Sequence, residues 1–272
     1  KTVRHMLQTI VVWFIKLTPK TKRWFWKRWY TIFARQYNNP ELRCMNYGYY
    51  DENFNPELKP KDEKERYPLQ LYHHVASLTN FSNKVVLEIG SGRGGGASYI
   101  SETLNPHQYI GIDISNTAVD LCSAFYNQKN LSFKVGDSEN IPLEKSSVDI
   151  VINVESSHCY GSFSGFLKEV SRVLRPGGRF LFCDFRPSEE IKPLLSEFDS
   201  VGFIKENYKD ITPNVVSALK RLSKYRKNEI HNKLPKFLHN ILEAFAGVEG
   251  SKVFISFQNK TLTYISASFR KE

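Results

Sequence analysis

The sequence lacks an apolar run long enough to cross a bilayer. Its most apolar stretch, Leu7 to Leu17, is interrupted by Gln8, Thr9 and Lys16 and falls short of the roughly 20 residues a spanning helix needs. No small-residue cleavage site follows it. The chain continues Thr18-Pro19-Lys20-Thr21-Lys22, so a secretory leader is not expected. Cysteine is scarce: Cys44, Cys122, Cys159 and Cys183 show neither CxxC nor zinc-like spacing, which argues against a disulfide framework and makes a reducing, cytoplasmic setting the expectation. His73 and His74 are consecutive and so point apart on a helix, with no carboxylate or cysteine at ligand spacing; no metal is expected. Internal repeats and low-complexity tracts are absent.

Acid is the scarcer charge. Against 38 Lys and Arg stand 28 Asp and Glu, a formal net charge of +10 over 272 residues, which attracts an acidic partner: a membrane surface, nucleic acid or an anionic small molecule. The excess gathers in the first thirty residues, where Lys16, Lys20, Lys22, Arg23, Lys27 and Arg28 interleave with Trp13, Phe14, Trp24, Phe25, Trp26, Trp29 and Tyr30. That is an interfacial composition. Trp26, Trp29, Tyr30, Phe33 and Tyr37 recur at helical spacing and predict an amphipathic helix ending before Asn38-Asn39-Pro40. Such a helix either packs on the main domain or rests in lipid headgroups, and a peripheral membrane contact is the partner expected of it. Nucleic acid is disfavoured: no RRM, KH or zinc-finger signature is present, and no Asn/Asp-Pro-Pro-Tyr follows Val154.

The charged, proline-bearing segment Asn55 to Arg66 reads as a surface linker. It divides a basic, aromatic helical extension and cap, residues 1–66, from a main domain, residues 67–272. In that domain short apolar runs at Lys84–Ile89, Tyr109–Ile112, Leu131–Val135, Val148–Val154 and Arg179–Asp184 predict strands. Helical patterns lie between them, including an apolar face through Phe163, Phe166, Leu167, Val170, Val173 and Leu174 that stops at Arg175-Pro176-Gly177-Gly178. A helix near Ser188–Phe198, a strand near Phe203–Lys209, helical material over about 212–246 and a last strand at Thr261–Phe269 follow; Val253–Phe257 reads equally as strand or short helix. Alternation of this kind predicts an α/β fold, a doubly wound and mostly parallel Rossmann-like sheet. The block 212–246 interrupts it and is either a lid over a substrate or plain packing.

Five of the seven residues from Gly90 to Gly96 are glycine, directly after the first strand. In an open α/β sheet ligands bind at the carboxyl ends of strands, and glycine lets the first strand-to-helix turn approach them closely. Gly90, Gly92 and Gly95 fit the GxGxxG spacing of a dinucleotide site, so a nicotinamide-dependent dehydrogenase competes at this point. Asp113 ends the second strand, where a carboxylate accepts ribose hydroxyl protons in either cofactor class, with Ile114 beside it. Glu88 discriminates. Inside the first strand it would repel a pyrophosphate, whereas the ammonium and sulfonium of S-adenosylmethionine favour a carboxylate. Asp137, in Gly136-Asp137-Ser138-Glu139-Asn140-Ile141-Pro142 after the third strand, is placed to accept from an adenine amine, with the Ser138 amide beside the ring edge.

The loop with its Ser91 and Gly94, the carboxylates and "VLRPGGRFLF" together resemble the class I S-adenosylmethionine-dependent methyltransferases over about residues 69–185. "MNYGYYDE", "LYHHVA", "GRGGGASYI", "VESSHCY" and "LRPGGRFLFCDFRPSE" are similar to the phthiotriolone and phenolphthiotriolone dimycocerosates methyltransferases, and more distantly to antibiotic-pathway O-methyltransferases. The resemblance implies a seven-stranded sheet, S-adenosylmethionine as cofactor, and methylation of a hydroxyl oxygen on a lipophilic lipid or polyketide-like molecule; carbon methylation of a sterol or terpenoid is the alternative. It also implies that the tyrosine-rich segment Tyr47, Tyr49, Tyr50 folds over the cofactor. The fourth strand runs out at Val154-Glu155-Ser156-Ser157-His158, placing Glu155 by the cofactor and His158 as candidate general base, with Asp184 at the end of the neighbouring strand to orient it. Cys159 is not needed as a nucleophile, and Asp149 reads as structural.

Overall fold

The inner strands form where the sequence offers short runs of aliphatic and aromatic side chains between turn residues. The computed structural model describes residues 43–233, 236 and 239–272, together with Thr18, Thr21, Trp24 and Arg28. Its strands are β1 (Val85–Ile89), β2 (Gln108–Asp113), β3 (Leu131–Val135), β4 (Val148–Val154), β5 (Leu174–Pro187), β6 (Phe203–Asp210) and β7 (Leu262–Lys271). They lie in the order β3-β2-β1-β4-β5-β7-β6. Only β7 runs antiparallel to its neighbours, β5 and β6. Leu87 of β1 sits beside Ile110 of β2 on one side and Val151 of β4 on the other, so the strand order reverses at β1. That reversal opens the crevice in which such sheets bind ligands.

Helices α1 (Arg66–Ala76), α2 (Gly95–Thr103), α3 (Asn116–Phe125), α4 (Phe163–Val173), α5 (Ile191–Ser200), α6 (Thr212–Lys233), α7 (His239–Phe245) and α8 (Lys252–Gln258) cover the sheet. One core joins Leu69 and Tyr72 of α1, Ile100 of α2, Leu219 of α6 and Phe257 of α8. The other joins Phe166 and Val170 of α4 to Leu194 and Phe198 of α5. Phe198 stacks on Phe269 of β7 with ring centroids 3.9 Å apart. Burying each such side chain contributes about 1.5–3 kcal/mol, and a sheet apolar on both faces can use it twice.

Several expectations change on folding. The segment read as a surface linker forms a 3-10 turn, Pro60–Glu65, that buries Asp62 and Glu65. Both are acids placed inside because Arg43 meets them, at 2.7 and 3.1 Å. Arg175-Pro176-Gly177-Gly178 ends α4 as the sequence implies, yet it is also the start of β5. Pairing jumps from Val148 opposite Leu174 to Ile150 opposite Arg179, and Gly177 (φ +73°) takes the bulge. Asp149 fastens this corner, accepting from the Val85 amide and the Arg175 guanidinium, each at 2.8 Å. Val253–Phe257, ambiguous in sequence, belongs to α8, whose start is capped by Ser251. The amphipathic helix through Trp26, Trp29, Tyr30, Phe33 and Tyr37 lies outside the described residues, as does most of the basic aromatic segment. Among the described residues no helix is long and apolar enough to cross a membrane.

Candidate active site

At the carboxyl ends of β1, β2 and β4 the chain leaves a cavity of about 1310 Å³ including its open mouth. The glycine loop makes one wall. Gly90, Gly92 and Gly94 all hold positive φ; a Cβ on Gly90 would stand 2.5 Å from Ser156 Oγ, so the loop and the end of β4 can meet only without a side chain there. Asp113 accepts from the Gly92 amide (3.0 Å) and the Ser115 amide (2.9 Å), tying the loop to the end of β2. Burial raises the Asp113 pKa, and these amides oppose the shift. Ser91, Ile114, Asp137 and Ser138 stand in the same wall. Ser91 Oγ is buried there with no hydrogen-bond partner among the described residues; a polar atom left so is costly unless a ligand satisfies it.

Three expected contacts lie elsewhere. Glu88 is fully buried and one layer behind the wall, accepting from the Tyr72 hydroxyl (2.8 Å) and the Tyr109 hydroxyl (3.1 Å). Burial pushes its pKa up to about 7 against those two donors, so its charge reaches the cavity through Tyr72, which is in the wall. Gly94 is also outside the wall; it is the left-handed N-cap of α2, where a Cβ would strike the Tyr126 and Phe133 rings. Tyr49 points away, stacked on His74 at 4.3 Å with its hydroxyl on Asp51. Tyr47, two residues earlier, lines the cavity instead; an extended strap would put both rings on one side, and Gly48 between them, at φ +87°, turns it.

The fourth strand delivers Glu155 and His158 to the opposite wall. His158 Nδ1 lies 2.9 Å from Asp184 Oδ1. Asp184, outside the wall and 1% exposed, also accepts from the His158 amide, the Ser157 hydroxyl and the Phe185 amide, and Arg186 approaches to 3.3 Å. Burial alone would raise the Asp184 pKa, but His158 and Arg186 hold it far below the usual carboxylate range. An ionised Asp184 requires the proton on Nδ1. For His158, burial favours the neutral ring and is outweighed by Cys159 and Asp184, leaving its pKa raised.

Glu155 takes a left-handed φ of +48°, a conformation that costs a non-glycine residue free energy and persists only where its surroundings enforce it. Here they are the Tyr47 amide (2.8 Å) and the Tyr264 hydroxyl (2.7 Å), both on Oε2. Burial, only partly offset by these donors, pushes its pKa up to about 7. Tyr264, Tyr72 and Arg226 escape sequence reasoning altogether. Arg226 reaches from α6 to the Asn46 carbonyl (2.8 Å) and the Ala246 carbonyl (2.7 Å), so the block 212–246 fastens the strap, and Phe245 lines the cavity. No local motif marks these residues; each matters through a partner distant in sequence. Among the described residues no group of three or more His, Cys, Asp or Glu is arranged to hold a metal ion; His73 is engaged with the Tyr99 hydroxyl.

The pattern is shared with known proteins. Residues 87–182 match a family described as a methyltransferase domain. The chain is 34% identical over 256 residues to a phthiotriol/phenolphthiotriol dimycocerosates methyltransferase of Mycobacterium tuberculosis, covering 94% of this chain and 95% of that protein. It is 40% identical over 182 residues to a fatty-acid O-methyltransferase of Mycolicibacterium smegmatis, 66% of each chain. In fold it resembles the geranyl diphosphate C-methyltransferase of Streptomyces coelicolor, solved with Mg2+, geranyl diphosphate and S-adenosyl-L-homocysteine, with a TM-score of 0.64 and 17% identity over 89% of this chain and 98% of that one.

Proposed function

Since the chain belongs to the class I methyltransferases, in the family of the phthiotriol and phenolphthiotriol dimycocerosates enzymes, we propose that it transfers a methyl group from S-adenosylmethionine to a hydroxyl oxygen of a lipophilic lipid or polyketide-like acceptor, at a membrane surface. The observation that carries this reading is His158 in the cavity wall with its Nδ1 on buried Asp184.

The residues fit the cofactor. Ser91 Oγ awaits a partner, the glycine loop permits close backbone approach, and the wall carboxylates Asp113, Asp137 and Glu155 suit a cationic ligand with ribose and adenine donors. When bound, the sulfonium supplies an electrophilic methyl. The protein's share is to align the acceptor, exclude water and remove one proton. His158 does the last: Asp184 fixes the Nδ1 proton, so Nε2 is the position that accepts from the acceptor hydroxyl, and Asp184 stabilises the imidazolium that results. The strap 43–51, held by Glu155 and Arg226, supports water exclusion.

A carboxylate acceptor is the second reading, favoured by the raised pKa of His158. A carboxylate needs no deprotonation and pairs with an imidazolium. Incubating the protein with isotopically labelled S-adenosylmethionine and a panel of lipophilic alcohols and acids tests both. A label stable to mild alkali but released as methyl iodide by hot hydriodic acid is an ether and supports the first reading; an alkali-labile label is an ester and supports the second. Transfer to neither, or transfer to carbon, overturns both.

A further inference from the structure

The outer face of α6 is unused by the site, and its chemistry is uneven. The helix carries six Lys and Arg and a single acid, Glu229. At 3.6 residues per turn, Lys220, Lys224 and Lys227 fall within an arc of about 60°, a stripe roughly 10 Å long. All three are exposed, and none has a hydrogen bond or ion pair among the described residues. The opposite face bears Leu219, Leu222 and Ile230, which are buried, and Arg226, which holds the strap. Beside the stripe Tyr225 stands 51% exposed. Arg221, on the same flank, lies with its guanidinium 3.4 Å over the Tyr50 ring of the strap. One helix thus presents a cationic, aromatic-flanked face outward while its inner face, through Arg226, holds the strap that lines the cavity.

We propose that the Lys220-Lys224-Lys227 face of α6 docks on anionic lipid headgroups and so holds the helix that fastens the strap against the bilayer. Three aligned ammonium groups with no acid among them match a negatively charged surface, and an exposed tyrosine with an apolar ring and polar tip suits the headgroup layer. Nucleic acid fits less well, since the sequence holds no RRM, KH or zinc-finger signature. The proposal rests on the reading of peripheral membrane contact but moves it to an element far in sequence from the N-terminal aromatic segment, and its test needs no turnover.

The full chain is sedimented with vesicles of phosphatidylcholine alone and of phosphatidylcholine with phosphatidylglycerol, and titrated separately with a labelled DNA duplex. Wild type is compared with Lys220→Glu/Lys224→Glu/Lys227→Glu. A charge-matched control, Lys129→Glu/Lys168→Glu/Lys192→Glu, changes lysines that are exposed elsewhere. Circular dichroism verifies that both variants fold. We expect wild type to bind only the anionic vesicles, the stripe variant to lose on the order of 100-fold in partitioning, and the control to stay within about threefold. Equal loss in both variants would assign the effect to net charge. No loss in the stripe variant would leave the N-terminal segment as the contact. Absence of wild-type binding, or loss confined to the duplex, would likewise overturn the proposal. Methyl transfer to a detergent-dispersed acceptor is scored independently, so failure here leaves the enzymatic reading standing.

Discussion

Asp184 gathers two backbone amides, a serine hydroxyl, the His158 ring and Arg186 around one buried carboxylate. Replacing it with asparagine keeps the shape and removes the charge that orients and protonates the ring. Methyl transfer by Asp184→Asn is expected to fall about 10²–10⁴-fold, with S-adenosylhomocysteine affinity nearly unchanged by calorimetry. The pH profile adds a test. His158 is raised from 6.5 to about 10, so wild-type transfer to a hydroxyl should climb into the alkaline range as the ring loses its proton. In Asp184→Asn that limb should move to lower pH, and an unmoved limb would remove His158 from the proton transfer. The same shift has a stability sign: a folded pKa above the unfolded one makes the contribution of the pair complete below about pH 6.5 and lost as pH rises through about 10. Glu155 is the converse case. Its folded pKa of about 7 exceeds the ordinary 4.5, so its burial as an anion opposes folding increasingly above about pH 4.5. Glu155→Gln, which keeps an oxygen for Tyr47 and Tyr264, should stabilise the fold by about 1–3 kcal/mol near pH 8 and by little near pH 5. Equal melting shifts at both would show that the charge is not what the site strains to hold. His158 and Asp184 were legible because one follows β4 by four residues and the other lies near the carboxyl end of the neighbouring β5. Glu88 was legible as a carboxylate but not in its direction, since the period-two alternation of a strand buried on both faces gives no polar side to read.

At the scale of elements, the glycine loop serves the helices as much as the ligand. Gly96 lies in α2, where a Cβ would fall 2.1 Å from the Tyr72 ring of α1. The ring cannot retreat easily, because its hydroxyl is fixed on Glu88. Gly96→Ala is expected to cost about 1–3 kcal/mol in denaturant unfolding and to weaken S-adenosylhomocysteine binding, since Tyr72 lines the cavity. Wild-type values for both would show that α1 and α2 have more slack than their packing implies. The same scale separates what spacing can and cannot resolve. The core strands were found within a residue or two, but β5 began earlier because its glycine bulge is recognisable only beside Val148 and Ile150. The charged segment 55–66 looked like a surface linker for want of its partner, Arg43.

Across the whole molecule, the strap is gripped from three remote places: Glu65 accepts the Arg43 and Cys44 amides, Glu155 the Tyr47 amide, and Arg226 donates to the Asn46 carbonyl. A ligand beneath it should couple these grips to global stability. S-adenosylhomocysteine at a hundred times its Kd should raise unfolding stability by about 2.7 kcal/mol, read as a rise in melting temperature, with no rise from NAD at the same concentration. A response to NAD alone would return the glycine loop to the dinucleotide reading.

The sequence by itself determined the alternating α/β fold, the glycine turn after β1, the strand-end carboxylates Asp113 and Asp137, and the pairing of His158 with Asp184. These depend on local periodicity and on position along a strand, both of which are written in adjacent residues. Only the tertiary structure decided that Tyr47 rather than Tyr49 faces the cavity, that Glu88 acts through Tyr72, and that Glu155 is held in a left-handed turn by Tyr264. Those outcomes depend on contacts between residues as far as 109 positions apart, whose free energy exists only once the intervening chain has folded to bring them together.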